Sequence, residues 1–290
     1  MTRRPLSIIG TMSESYSFAS GHLLQLMDLG KGPAVLALAF GLFFDFSTVF
    51  QATPVYTFAS VIAFSWFSFY VFRLVLLGEA KARLPAPPTS SGEGPSRVRP
   101  LLANFMGRAL AMGIAAMGVF FLLAIVVVFP LTLASTTLEA RQAMPEEAGF
   151  EVVYTLIIAF GLFALPVAIP LARCSAVLPA LAIDRDTSFG AAWRLSRGYG
   201  LRLAAAWVLI AAPYFFGYAL LNSALTDISA MLSGGGPGYV ANLLALLLVT
   251  AMGMTVTALA TIATAHAWST MTAIPTAESR HGPVDTLGVK

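Results

Sequence analysis

Charge is what this chain has least of. Only 11% of its 290 residues are Asp, Glu, Lys or Arg, against roughly a quarter in a soluble domain, while 58% are hydrophobic and the mean hydropathy is +0.80. That deficit argues against a soluble globular fold. It also leaves little length for a separate soluble domain once the segments able to cross about 30 Å of hydrocarbon are set aside. Cysteine is nearly absent: Cys174 stands alone, which excludes an intrachain disulfide and a cysteine-based zinc cluster. Histidine is scarce too, and His22, His266 and His281 lie far apart without metal-ligand spacing. No Ser-His-Asp set, H-E-x-x-H motif, nucleotide-binding glycine loop or carboxylate dyad occurs. The sequence therefore predicts no metal or other cofactor and no catalytic residues, and favours a protein that is not an enzyme. A pI of 9.2 with net charge +3 comes with no basic-aromatic module, so nucleic acid is not an expected partner. Before the first long apolar run, Arg3 and Arg4 precede no short apolar stretch with a small-residue cleavage site, and no cleaved signal peptide is expected.

What the chain does have is long apolar runs. Six read as transmembrane helices, at about 34–51, 54–77, 106–132, 151–172, 203–223 and 239–269. The expected fold is all-α: a polytopic membrane bundle of six spans plus two cytoplasmic interfacial helices. The first two spans are separated by an uncharged stretch with Pro54, which predicts a tight hairpin. Lys and Arg resist translocation, and with both termini inside, all but Arg141 of the 17 Lys and Arg residues fall on the cytoplasmic side. The outer loop 135–150 carries Glu139, Glu146 and Glu147 instead. The expected divisions are an N-terminal cytoplasmic segment 1–33 with an interfacial helix, a membrane domain 34–274, and a cytoplasmic tail 275–290. Within the membrane domain, the Pro/Ser/Gly-rich stretch 82–100 reads as a disordered tether or a partner-binding proline segment.

The stretch AAWRLSRGYGLRL, 191–203, gathers a tryptophan, three arginines and two glycines just before the fifth span. Ser188 suits an N-cap and Gly198 a C′ position, which predicts a helix over 189–197. Its apolar face holds Phe189, Ala192, Trp193 and Leu195, with Arg194 and Arg197 opposite. Such a helix lies flat at the membrane surface. It is either an elbow that orients the chain or a site at which Trp193, Arg194, Arg197 and Arg202 meet an anionic lipid headgroup or ligand. Residues 16–26 align without gaps on 193–203, Tyr16 on Trp193 and Gly21 on Gly198, which reads as a parallel internal repeat or as coincidence.

Asp45 is the costliest residue, since a carboxylate near mid-membrane costs about 2.5–3.5 kcal/mol on insertion scales. It reads as a functional group for ion, proton or solute handling, or as the structural partner of Arg73 on the adjoining span. Arg108 and Arg173 read simply as helix-end residues. His266 is a weak candidate, either packed and hydrogen-bonded or a titrating relay. Pro130, Pro166, Pro170 and Pro213 predict kinks in spans three to five.

FRLVLLGEA (72–80), RCSAVLPALAIDRDTSFGAAWRLSRGYGLRL (173–203) and SIIGTMSESY (7–16) together resemble a broad family of uncharacterised bacterial six-span inner-membrane proteins. The positions that carry the resemblance are Arg73, Leu76, Leu77, Gly78 and Glu79, then Arg173 and Pro179, then Ala192, Trp193, Leu195, Ser196 and Gly198. The elbow is similar in style to the membrane domains attached to some glycerophosphodiester phosphodiesterases. No catalytic barrel is present here, so that activity does not carry over. The resemblance implies a fold and a bacterial inner-membrane location. The functional expectation is an accessory or envelope-maintenance protein acting through membrane lipids or a membrane-protein partner; the alternative is a small-molecule or ion transporter using Asp45.

Overall fold

Six consecutive residues, Val71 to Leu76, are all buried, so the helix that carries them has neighbours on every side. The computed structural model describes residues 6–45, 53–82, 98–123, 167–185, 187–232 and 238–272. Among these residues the structure is helical and contains no strand. In chain order the helices are α1 (Ile8–Gly21), α2 (Leu23–Asp45), α3 (Thr53–Leu77), α4 (Glu79–Ala82), α5 (Val98–Leu123), α6 (Val177–Ala182), α7 (Phe189–Leu195), α8 (Gly200–Leu232) and α9 (Gly238–Thr272). Residues 167–174 are also helical.

Three of these helices are long and apolar enough to cross a membrane, over Leu23–Leu42, Ala59–Leu77 and Leu246–Thr272. Their burial differs: 61% of the α3 segment is buried, against 28% in α2 and 33% in α9. α3 is therefore the central post, packed against α2, α5, α6 and α9. The peripheral helices leave large apolar side chains such as Val35, Ile114, Leu209 and Leu247 exposed. In water, faces of that kind mark interaction or membrane surfaces, and here they complete the features of a helical membrane protein.

Packing is densest where α3 and α9 end and α5 and α8 begin, a region called the arginine end below. Phe69, Phe72 and Phe105 meet edge to face there, and Leu203, Ile262 and Val177 are fully buried. α3 stops at Gly78, whose φ of +84° is left-handed backbone that glycine adopts without penalty. The Gly78 N–H donates back to Leu74 O at 3.0 Å. In the sequence motif Leu-Leu-Gly-Glu, the glycine is thus the helix stop.

Several helix boundaries differ from expectation. The first apolar helix begins at Leu23, eleven residues before the expected start of span one at 34, and Pro33 lies inside it. Exposed Asp28 and Lys31 pair across one turn at 3.0 Å on this early part, which leaves the apolar face continuous from Leu23 to Leu42. α8 runs as one 33-residue helix through Pro213, longer than span 203–223. Residues 98–100, the end of the expected tether, form the first turn of α5, which begins eight residues before the expected start of span three at 106. The rest of the tether, the outer loop 135–150, most of span four, the last third of span three and the tail 275–290 lie outside the described residues.

Candidate functional site

The residues behind the family resemblance come from separate parts of the chain, and the fold brings them together at the arginine end. Arg73 is 1% exposed. Its Nε donates to Ala82 O and its Nη1 to Ala182 O, both at 3.0 Å. These carbonyls close α4 and α6, where the helix dipole and unsatisfied C=O groups favour a cation. Phe69 lies 5.6 Å from the guanidinium. Arg73 is accordingly a buried staple joining two short helices to the central post.

Asp45 is not brought to Arg73. Gly30 lies against Phe67 and Gly32 against Trp66, an antiparallel register in which Arg73 stands level with the first turn of α2. Gln25, on that turn, donates to Glu79 at 3.5 Å. Position 45 closes the far end of α2, about 30 Å away at 1.5 Å per residue. The backbone register therefore sets positions 45 and 73 at different levels; adjacent antiparallel spans share a face, but register decides which levels meet. The side chain of Asp45 lies outside the described residues.

A second arginine builds the elbow. Arg173 stacks on Trp193, its guanidinium carbon 3.7 Å from the ring centroid, and its Nη2 donates to Trp193 O at 2.9 Å. The buried Ser196 hydroxyl donates to Arg173 O at 3.2 Å. The stem of Arg173 runs so close over Gly200 that a side chain there would meet it. Arg108 donates to Thr187 O just before α7. Arg108 and Arg173 thus do more than end their helices: both hold the elbow through long-range contacts that one-dimensional spacing does not encode.

The elbow helix itself follows its local sequence. Ser188 accepts a hydrogen bond from Ala191 N at 3.2 Å, and Gly198 takes φ +89°. The helix ends at Leu195, two residues short of the expected end, and turns continue to Tyr199. Only Ala192 of α7 is buried, while Phe189 and Trp193, one turn apart, stay 37% and 39% exposed. Arg194 and Arg197 are exposed. Arg202 is used differently: its Nη1 donates to Leu6 O at 3.1 Å and ties the entry of α1 to the start of α8. Arg194, Arg197 and Arg202 are thus all exposed, and Arg202 in addition makes a main-chain tie.

His266, on α9, faces α1. Its Nδ1 is 3.7 Å from Glu14 Oε2 and its ring meets Phe18 edge to face at 6.2 Å. Cys174, beside Arg173, has its thiol pushed above the ordinary value by burial, with the guanidinium opposing the shift; a protonated thiol is a poor nucleophile. Among the described residues, no group of three or more His, Cys, Asp or Glu is placed to hold a metal.

The sequence did not announce a cleft of about 360 Å³ between α3, α5, α8, α9 and residues 171–178. Phe64, Phe105, Met112 and Trp207 contribute to its walls. Four of the hydroxyls that line it, those of Ser68, Ser175, Thr261 and Thr264, bond to the protein: Thr261 donates to Ser68 at 3.1 Å, Trp207 Nε1 to Thr264 at 3.1 Å, and Ser175 to Ala172 O at 2.9 Å.

The repeat relation has a structural echo. Tyr16 and Trp193 are 40% and 39% exposed, Leu24 and Leu201 are 78% and 60% exposed, and Leu26 and Leu203 are buried. Packing is not repeated, because α1 lies across α8 and α9 with Thr11, Ser15 and Phe18 buried, whereas α7 buries one residue. Together these features define an all-helical protein with apolar helices of membrane-crossing length. Compared with known families, curated proteins and solved structures, the chain matches none.

Proposed function

We propose that this is a six-span protein of the bacterial inner membrane with both termini in the cytoplasm. In this reading it acts without enzymatic chemistry, as an accessory or envelope-maintenance protein working through anionic lipids or membrane partners. The observation that carries the reading is the elbow. Arg194 on α7 and Arg197 in the turn that follows it are exposed, as are Phe189 and Trp193 of α7, while Arg73, Arg108, Arg173 and Arg202 each donate to a main-chain carbonyl. An apolar pair beside two available guanidinium groups suits the boundary between acyl chains and phosphate. Orientation is supported by the charge distribution, in which every Lys and Arg except Arg141 falls on one side of the six spans.

The test is lipid selectivity in nanodiscs. A basic residue near an anionic surface contributes about 1 kcal/mol, so Arg194→Gln/Arg197→Gln should lose most of the preference for phosphatidylglycerol over phosphatidylcholine at unchanged melting temperature. Unchanged selectivity overturns the reading. Solute movement by purified protein in liposomes, abolished by Asp45→Asn in a folded protein, would establish transport instead.

A further inference from the structure

We infer that the cleft and the elbow form one site for a single anionic phospholipid, with one hydrocarbon chain in the cleft and the phosphate at the arginines. This rests on the surface-lipid reading and adds the occupant of the cleft.

The dimensions favour a chain. On α3 the cleft runs from Val61 to Phe72, about 16 Å at 1.5 Å per residue, which is the depth of one leaflet of a hydrocarbon core about 30 Å thick. Its volume of about 360 Å³ sits at the small end of ligand pockets, roughly 300–1,000 Å³. A space that long and that small is narrow.

The chemistry favours a hydrocarbon. Among the described residues that line it there is no Asp, Glu, Lys, Arg or His. Thr261, Trp207 and Ser175 direct their donors to protein acceptors, and Thr264 also donates to Ala260 O at 2.7 Å. With those groups engaged, the hydroxyls of Ser65 and Thr257 are the remaining polar groups of a lining that is otherwise mainly C–H surface. A polar solute would lose its hydration for little return, whereas a chain exchanges one apolar surrounding for another.

Charge complementarity selects the headgroup. Leu171 and Ser175 line the cleft, and Arg173 between them stacks on Trp193 of the elbow. Arg194 is the next residue of α7, and Arg197 lies in the turn that follows the helix; both are exposed. A lipid whose chain enters past Leu171 and Ser175 brings its phosphate to this cationic surface.

The experiment is native mass spectrometry of delipidated, detergent-solubilised full-length protein. It is titrated with phosphatidylglycerol and with phosphatidylcholine of the same acyl chains. The wild type should hold one phosphatidylglycerol tightly and phosphatidylcholine more weakly. Ala109→Leu and Ala260→Leu, from opposite walls, should each weaken both lipids by roughly tenfold or more, with unchanged melting temperature showing that the variants fold. Arg194→Gln/Arg197→Gln should weaken phosphatidylglycerol to the level of phosphatidylcholine and leave phosphatidylcholine unchanged. Absence of a tight adduct in the wild type, or its retention in both filled variants, overturns the inference; a second copy or another apolar segment seated in the cleft would give that result. If the filled variants retain the adduct while the arginine pair still sets selectivity, only the cleft assignment falls. If the arginine pair has no effect, the surface-lipid reading falls as well.

Discussion

Arg73 holds its place through two carbonyl oxygens, Ala82 O and Ala182 O. Hydrogen bonds to a charged group contribute about 1.5–3 kcal/mol each, and removing this donor strands two helix ends in a buried layer. Arg73→Gln should therefore lower stability by about 3 kcal/mol, read as a fall in melting temperature in detergent. Arg73→Lys, with the charge but without the planar fork, should lose less than that. Because register sets Asp45 about 30 Å from this staple, Asp45→Asn and Arg73→Gln should be additive to within about 0.5 kcal/mol; a larger coupling energy would contradict the register. Cys174 provides a chemical check at the same scale. Burial raises its thiol, so less thiolate is present at any given pH than on a free cysteine. Alkylation by a maleimide at neutral pH should be slower than for a free thiol, and should speed up only as pH rises past the ordinary thiol range.

At the scale of elements, α7 and α1 contrast with the central post. α7 is fixed by its cap, by Arg173 and by two glycines, and buries one residue of its own. Gly198→Ala should cost about 1–2 kcal/mol through its positive φ. Gly200→Val should cost about 1–3 kcal/mol by colliding with the stem of Arg173. In both variants, faster limited trypsin cleavage after Arg194 and Arg197 is the measurable consequence. α1 buries Thr11, Ser15 and Phe18; the first two hydroxyls bond within their own helix, so the stripe offers little apolar area to its neighbours. Amide exchange in α1 should be faster than over residues 71–76. Arg202→Gln, which removes the tie to Leu6 O, should accelerate exchange in α1 and leave α3 unchanged; equal protection of α1 and α3 would contradict this account.

At the scale of the whole molecule, the organising fact is that three distant segments converge on the arginine end: the end of α3, residues 173–182 and the elbow. Their motif glycines, arginines and serine serve one another, Gly78 by stopping α3, Arg73 by joining α4 to α6, and Ser196 by holding Arg173. If the six-span topology holds, this end faces the cytoplasm. Single cysteines introduced in a Cys174→Ser background at positions 3 and 285 should then be shielded from a membrane-impermeant maleimide in intact cells, and one at position 143 should label. The reverse pattern would invert the bundle.

The sequence by itself determined what depends on local chemistry. Scarce charge and long apolar runs dictated membrane-length helices, as α3 illustrates within a residue or so of expectation. Ser188 and Gly198 marked the elbow because a cap hydroxyl and a positive φ act on adjacent backbone. Tertiary structure decided what depends on register and long-range approach. It gave Arg73 two helix ends to hold, tied Arg202 to Leu6 O, and stacked Arg173 on Trp193. It also opened a cleft lined mainly by apolar side chains. Periodicity tells which face of a helix a residue occupies, but the level at which two helices meet is set by how side chains such as Phe67 and Trp66 seat against Gly30 and Gly32, which requires the packed structure.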